Sequence, residues 1–362
     1  MAATVRPESH PTKWLISSQI KHAFAYLVTA GICVFASLGS VYAASTGPQT
    51  GTGLSLVPTS QFRPEVNMTF DAGYRRDDLD WNIAGDNTGH NPNVLSELKW
   101  KDLESYQVKF QGTLAWPNIL ALRGYADYGW IFDGDNQDSD YLGNNRTYEF
   151  SRSNNNADDG DVWDVSLAVG YPWRWGRTVI STITPLVGYS HHEQNLKMTD
   201  GYQTVSIPVV TPDFTIIPPP VGPISGLNSS YDTEWKGPFI GIDMRFRGEK
   251  LSSLASRFET YFSYEYHWAD YHAQADWNLR EDLRHPKSFE HDADGTGWII
   301  GAGLNFIINS NIALNFDFDY QNWRARDGND KVYLANGTTA KTRLNEVNWS
   351  SYALGLGLQV SF

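Results

Sequence analysis

The chain has 362 residues, with 28 basic and 41 acidic side chains and a formal charge of −13. So acidic a surface argues against nucleic acid as a partner. Mean hydropathy is −0.42, and beyond the first fifty residues no run approaches the ~20 apolar residues that a membrane helix needs. Aromatic residues are nevertheless abundant, with 14 Trp, 19 Tyr and 17 Phe, a supply that suits the interfacial girdles of a β-barrel.

Residues 1–43 read as a secretory signal. Arg6, Lys13 and Lys21 form its basic head, residues 23–38 its apolar segment, and Val41, Tyr42 and Ala43 its cleavage site. Cleavage after Ala43 would leave 25 basic and 40 acidic residues, a balance of −15. It would also remove the single cysteine, Cys33, so that backbone pairing and packing alone must stabilise the mature chain. Residues 44–63, rich in Ser, Thr, Gly and Pro, read as a flexible periplasmic lead-in to one unit, 64–362.

Period-two alternation then sets out the strands. The first covers residues 65–80, with the charged half YRRDDLDW placed above the lipid. The second, 106–116 with an upward extension over 95–101, alternates Tyr106, Val108 and Phe110 with Gln107, Lys109 and Gln111. After a tight turn at Pro117 and Asn118, the third strand faces Leu122, Trp130 and Phe132 outward and Arg123, Tyr125 and Asp127 inward. Residues 133–161 read as a long acidic loop, 163–171 as strand four and 179–192 as strand five.

Residues 197–238 read as a second loop. Its six prolines between Pro208 and Pro223 rule out a barrel strand and favour an extended, polyproline-like path over 206–224. Strands six and seven carry Asp243, Arg245, Glu259, Glu265 and His267 on their inner faces. After a charged loop at 277–295, strands eight and nine form a hairpin through Asn309, Ser310 and Asn311. Strand nine turns Asn315, Asp317, Asp319 and Gln321 inward, a polar run that a packed soluble core would not tolerate. A last loop at 327–346 leads to strand ten, which ends on Leu358, Val360 and Phe362, a terminus of the kind read by barrel-assembly machinery.

The expectation is all-β: a ten-stranded antiparallel transmembrane β-barrel in the outer membrane of a Gram-negative bacterium, with short periplasmic turns, long outer loops and outer-membrane lipid around it. Arg123, Asp127, Glu259, Glu265, Asp317 and Asp319 are its expected lumen-lining charges.

Several stretches resemble the omptins, ten-stranded outer-membrane proteases. LSELKWK at 95–101, GYADYGW at 124–130 leading into DNQDSDY at 135–141, VGYSHHE at 187–193 and GPFIGIDMRFR at 237–247 carry the likeness. The resemblance implies an Asp pair facing an Asp–His pair across the barrel mouth, together activating a water. Asp138 and Asp140 fit the first pair, since residues i and i+2 share a strand face. At the second, the matching positions are Glu281 and Leu283, and leucine accepts no proton. His285, two residues on, and His272, in a D-x-H triplet with Asp270, are the tentative substitutes, with His291 behind them. The family's exterior lipopolysaccharide set, Tyr-x-Glu-x-Arg, corresponds to Tyr189, His191 and Glu193, so only the tyrosine remains and no cofactor is expected.

Two other readings of these residues stand beside the catalytic one. Asp133, Asp135, Asp138 and Asp140 read as a solvated acidic loop or a cation site, although the EF-hand pattern fails. His191 and His192 lack a third ligand at metal-binding spacing and read as exposed histidines at a loop base. With the catalytic set incomplete, the leading functional expectation is a surface barrel whose loops meet an extracellular peptide or other ligand. An omptin-type endopeptidase and a small-solute porin are the alternatives.

Overall fold

The computed structural model describes residues 64–176, 179–212, 215–248 and 257–362, so the secretory signal and the lead-in lie outside the described residues. Gln61–Ser361 forms one compact unit. Its strands, in chain order, are β1 (Glu65–Ile83), β2 (Ser96–Trp116), β3 (Leu120–Gly143), an interrupted β4 (Thr147–Asn156, Gly160–Gly170 and Trp173–Trp175), β5 (Val179–Ser206), β6 (Gly222–Gly248), β7 (Phe258–Asp276), β8 (Phe289–Ile307), β9 (Ile312–Tyr333) and β10 (Thr339–Ser361). Each pairs antiparallel with its neighbours in sequence, β4 bridges β3 and β5 piece by piece, and β1 pairs with β10 along Asn67–Ile83. The twelve sheet segments therefore close into a ring ten strands round. Closure leaves no edge strand, as a β-sheet in lipid requires. Among the described residues no helix is long and apolar enough to cross a membrane.

The strands are taller than the sequence suggests. Residues 133–161, expected as loop, are strand except at 144–146 and a jog at 157–159. The other expected loops shrink to connections at 207–221, 277–288 and 334–338, the first holding only the two-residue pairing of Val209–Val210 with Thr215–Ile216. At about 3.3 Å per residue and a tilt near 40°, the 28-residue β5 rises roughly 70 Å, against an apolar band of about 25 Å. The wall formed by β5 and β6 thus stands about 40 Å clear of the lipid.

The level where the wall leaves the membrane can be read on nearly every strand. Tyr74, Tyr106, Trp130, Trp163, Tyr189, Trp268, Trp298, Tyr320 and Tyr352 face outward, one on each strand except β6, which has Pro238 there. Below them the outward residues are apolar, as with Phe70, Leu167, Ile240, Phe316, Leu354, Leu356 and Leu358, all exposed. Above them the same face becomes polar: Arg76 and Asp78 follow Tyr74, and Asp270 and His272 follow Trp268. The inner face changes in the opposite sense. On β1, Asp71, Arg75 and Asp77 give way to Leu79 and Trp81; on β9, Asp317 and Gln321 give way to Trp323 and Ala325.

The lower interior is consequently a charged lattice. Arg75 binds Asp77 through two nitrogens (2.9 and 3.1 Å), Asp164 at 2.7 Å and Asp127 at 3.3 Å. Asp164 also meets His192 Nδ1 at 2.9 Å, and Trp349 Nε1–H donates to Asp77 at 2.7 Å. Arg123 holds Asp243 at 2.7 Å and Glu265, while Glu265 meets His267 Nε2 at 3.0 Å. Lys109 sits between Asp319 and Asp317, and Glu259 takes Arg245 at 3.5 Å. All six expected lumen charges lie in this lattice. The upper interior is a buried aromatic core built around Trp81, Trp100, Tyr231, Trp235, Tyr271, Trp323 and Trp349. Trp323 and Trp349 stack with centroids 5.6 Å apart, and Trp100 stacks on Tyr231 at 5.2 Å.

Two details differ from the expectation. Arg75 and Asp77, in the charged half of the first strand, point into the lattice; only Arg76, Asp78 and Asp80 face the aqueous exterior. His192, expected at an exposed loop base, is fully buried, while His191 points outward and stacks on Trp163 at 4.6 Å.

Removing one member of a buried, hydrogen-bonded ion cluster leaves charges uncompensated and costs about 3–5 kcal/mol. Arg75→Ala strands three carboxylates, so its folded band is expected to convert to the unfolded form at a clearly lower temperature in heat-modifiability gels. A shift no larger than that of Arg76→Ala on the exterior would contradict the role given to the lattice.

Candidate functional site at the barrel mouth

The face carried by β3 changes parity between Asp133 and Asp135, where its register against β2 shifts. Below the shift the odd residues Arg123, Asp127 and Ile131 point inward; above it the even residues Asn136, Asp138 and Asp140 do. Asp133 and Asp135 stay exposed on the outside, so the four aspartates expected as one acidic cluster split into two pairs on opposite faces. Among the described residues no group of three or more His, Cys, Asp or Glu side chains is arranged to hold a metal ion.

Asp138 lies opposite Leu98 on β2 and Ser153 on β4; Asp140 lies opposite Ser96 and Ser151. Burial pushes the Asp138 carboxyl well above its ordinary range, and repulsion from Asp140 adds to the shift. Asp140 is also raised by burial, with hydrogen bonds from Ser96 and Ser151 opposing. Asp138 Oδ1 is buried with no hydrogen-bond partner among the protein atoms. Both carboxyls of the pair are thus biased toward their protonated forms.

A cation, rather than a base, faces this pair. Arg280, in the 277–288 connection, lies close enough to favour the charged forms of both aspartates. Its guanidinium is itself held by a two-pronged contact to Asp282, with both bonds at 2.8 Å. Leu283, the counterpart of the family histidine, is buried and bridges to Leu334.

Each candidate histidine is held elsewhere. His272 sits on the outer wall of β7 with its Nδ1 2.7 Å from Asp292. His285 has Nδ1 2.6 Å from Asp276 and Nε2 3.2 Å from the Arg280 carbonyl. Both its nitrogens are directed at protein oxygens. His291 is fully buried beneath the mouth, with Nδ1 2.8 Å from the Tyr231 hydroxyl and Nε2 3.3 Å from Asp330. The structure brings Asp138 and Asp140 together but draws none of the three histidines to them.

Sequence reasoning missed Arg280, Asp164, His192 and Asp330. Asp330 reaches His291 because β9 changes parity at Asp327, which has a left-handed φ of 57°, and no alternation pattern reports that. On the exterior, His191 lies 3.4 Å from both Glu193 and Glu234. Glu234 also takes Lys236 at 2.7 Å.

The raised carboxyls have a consequence for stability. Asp138 and Asp140 keep protons at pH values where the unfolded chain, at an ordinary value of 3.8, has lost them, so the folded state binds more protons. Stability contributed here falls as pH rises from about 3.8 through the raised values. Asp138→Asn is expected to melt higher than the parent at neutral pH and to flatten the loss as pH rises above about 4. A lower melting temperature at neutral pH would contradict this electrostatic picture.

Comparison with known proteins agrees with this fold. OmpT, the outer membrane protease of Escherichia coli, superposes with a TM-score of 0.65 over 86% of this chain and 99% of its own, at 13% identity. The translocator domain of the autotransporter NalP from Neisseria meningitidis covers 93% of this chain and 98% of its own at 8% identity, with a TM-score of 0.31. OprG from Pseudomonas aeruginosa covers 83% and 98% at 10% identity, with a TM-score of 0.29. At these identities the likeness to OmpT speaks for the fold alone, and the other two carry no argument. No curated protein sequence matches the chain. A family model matches residues 69–362, and on that match this omptin-like barrel belongs to the Protochlamydia outer membrane protein family, Pom.

Proposed function

We propose that this barrel is a surface-binding protein of the outer membrane and that it neither conducts solutes nor cleaves peptides. The observation that carries the proposal is the buried aromatic core above the charged lattice. Trp100, Trp235, Trp323 and Trp349 are each at most 1% exposed, and they fill the cross-section through which a solute would have to pass. The cavity beneath them, lined by Lys109, Arg123, Asp243, Glu265 and Asp319, has about 60 Å³, room for a few waters. Its charges are paired, whereas a porin lines an open, water-filled channel.

The mouth geometry counts against hydrolysis in the same way. The omptin resemblance implies an Asp–His pair across the groove from the carboxyl pair, with the histidine as the base. Here Arg280 faces Asp138 and Asp140, His272 and His285 are held by Asp292 and Asp276, and His291 is buried against the Tyr231 hydroxyl. What remains for interaction with the surroundings is the outer crest of the wall, where apolar side chains stand exposed on the β5–β6 arm.

The reading is tested by reconstituting the purified barrel. It is expected to give no stepwise conductance in a planar bilayer and no cleavage of a mixed-sequence peptide library. Ion steps that survive repurification, or cleavage abolished by Asp138→Asn, would overturn it. Trp235→Ala with Trp323→Ala should admit transient ion steps, since the pair forms the wall of the seal.

A further inference from the structure

The β5–β6 arm ends in a tip of unusual chemistry. Ile207, Val210, Ile217 and Val221 are 56%, 75%, 75% and 61% exposed. Its base is fastened where Ile207 N–H donates to the Phe150 carbonyl on β4 at 2.9 Å, and Val209–Val210 pairs with Thr215–Ile216 to fold it back on itself. Across residues 207–223 the sequence has one ionisable side chain, Asp213, and six prolines.

We propose that this tip inserts into the surface of a second lipid bilayer apposed to the cell, an inference that rests on the surface-binding reading and names its partner. Three features select lipid. First, the tip offers apolar side chains with almost no charge, so whatever covers it gains from their burial and little from ion pairing. Second, the six prolines have no backbone N–H. An amide donor taken into an apolar medium without a partner costs several kcal/mol, and six of the seventeen residues at 207–223 bring none. The same lack of donors denies a protein partner the ladder it would need to take the segment as an added strand. Third, the tip stands about 40 Å beyond the girdle, too far to touch the leaflet in which the barrel sits. The chain's net charge of −13 further favours a zwitterionic surface over an anionic one.

The test uses the full chain in nanodiscs, floated with phosphatidylcholine vesicles. Protein-loaded discs are expected to rise with the vesicles while empty discs do not. The variant I207S/V210S/I217S/V221S should lose about tenfold or more of that binding, each serine removing apolar area from the insertion, while keeping its heat-modifiable folded band. Replacing a third of the phosphatidylcholine with phosphatidylglycerol should weaken binding, and more so at low salt. Discs that stay at the bottom of the gradient, or a quadruple variant that floats as well as the parent, would overturn the proposal. A failed flotation with silent bilayers and intact peptides would refute the lipid partner and leave the surface-binding reading standing. Conductance or cleavage would refute that reading directly.

Discussion

The structure depends on one constraint: each strand must satisfy lipid over its lower part and water over its upper part without breaking its hydrogen-bonded ladder. Because side chains alternate faces, a strand meets both solvents only by exchanging which face is apolar. β1 does so within a few residues, from Phe70 outside and Asp71 inside to Asp78 outside and Leu79 inside. The girdle, from Tyr74 round to Tyr352, marks the exchange, where aromatic side chains tolerate both environments. Everything else in the barrel follows from what that exchange leaves inside.

Below the girdle, polar residues are left inside, and their burial is tolerated because almost every charge meets an opposite one. Arg75 and Arg123 each bind more than one carboxylate, and His192 and His267 link the two clusters to the rings above, lying 4.6 and 4.8 Å from Trp323. Above the girdle, apolar residues are left inside, and they pack as a soluble protein's core would. The protruding half is thus a small globular core wrapped in the same ten strands that cross the membrane.

The membrane half was legible in the sequence and the upper half was not. In strands such as Ile312–Tyr333 the alternation of Phe316 and Phe318 with Asp317 and Asp319 reports lipid outside and charge inside without ambiguity. The same pattern misled above the girdle, because an outward polar face with an inward apolar one resembles the charged texture of a loop. For this reason residues 133–161, dense in Asp and Asn but mostly strand, read as a loop. Register shifts then changed parity at Asp133 and near Asp327, so the inward turn of Asp330 toward His291 left no periodic trace. At the mouth, the i, i+2 spacing of Asp138 and Asp140 was readable because it is local. The opposing Arg280 was not, because a connection's path across the barrel is set by packing such as the Leu283–Leu334 bridge.

The exchange of faces makes a direct claim about which tryptophans meet lipid, water or neither. Single-tryptophan variants, with other tryptophans replaced by phenylalanine, report this through fluorescence quenching by brominated lipid and by aqueous iodide. Trp268 and Trp298 should be quenched by brominated lipid, and Trp235, Trp323 and Trp349 by neither agent. Iodide quenching of Trp235 or Trp323 in the folded barrel would mean that water reaches the upper interior, and it would contradict the sealed barrel on which the functional reading rests.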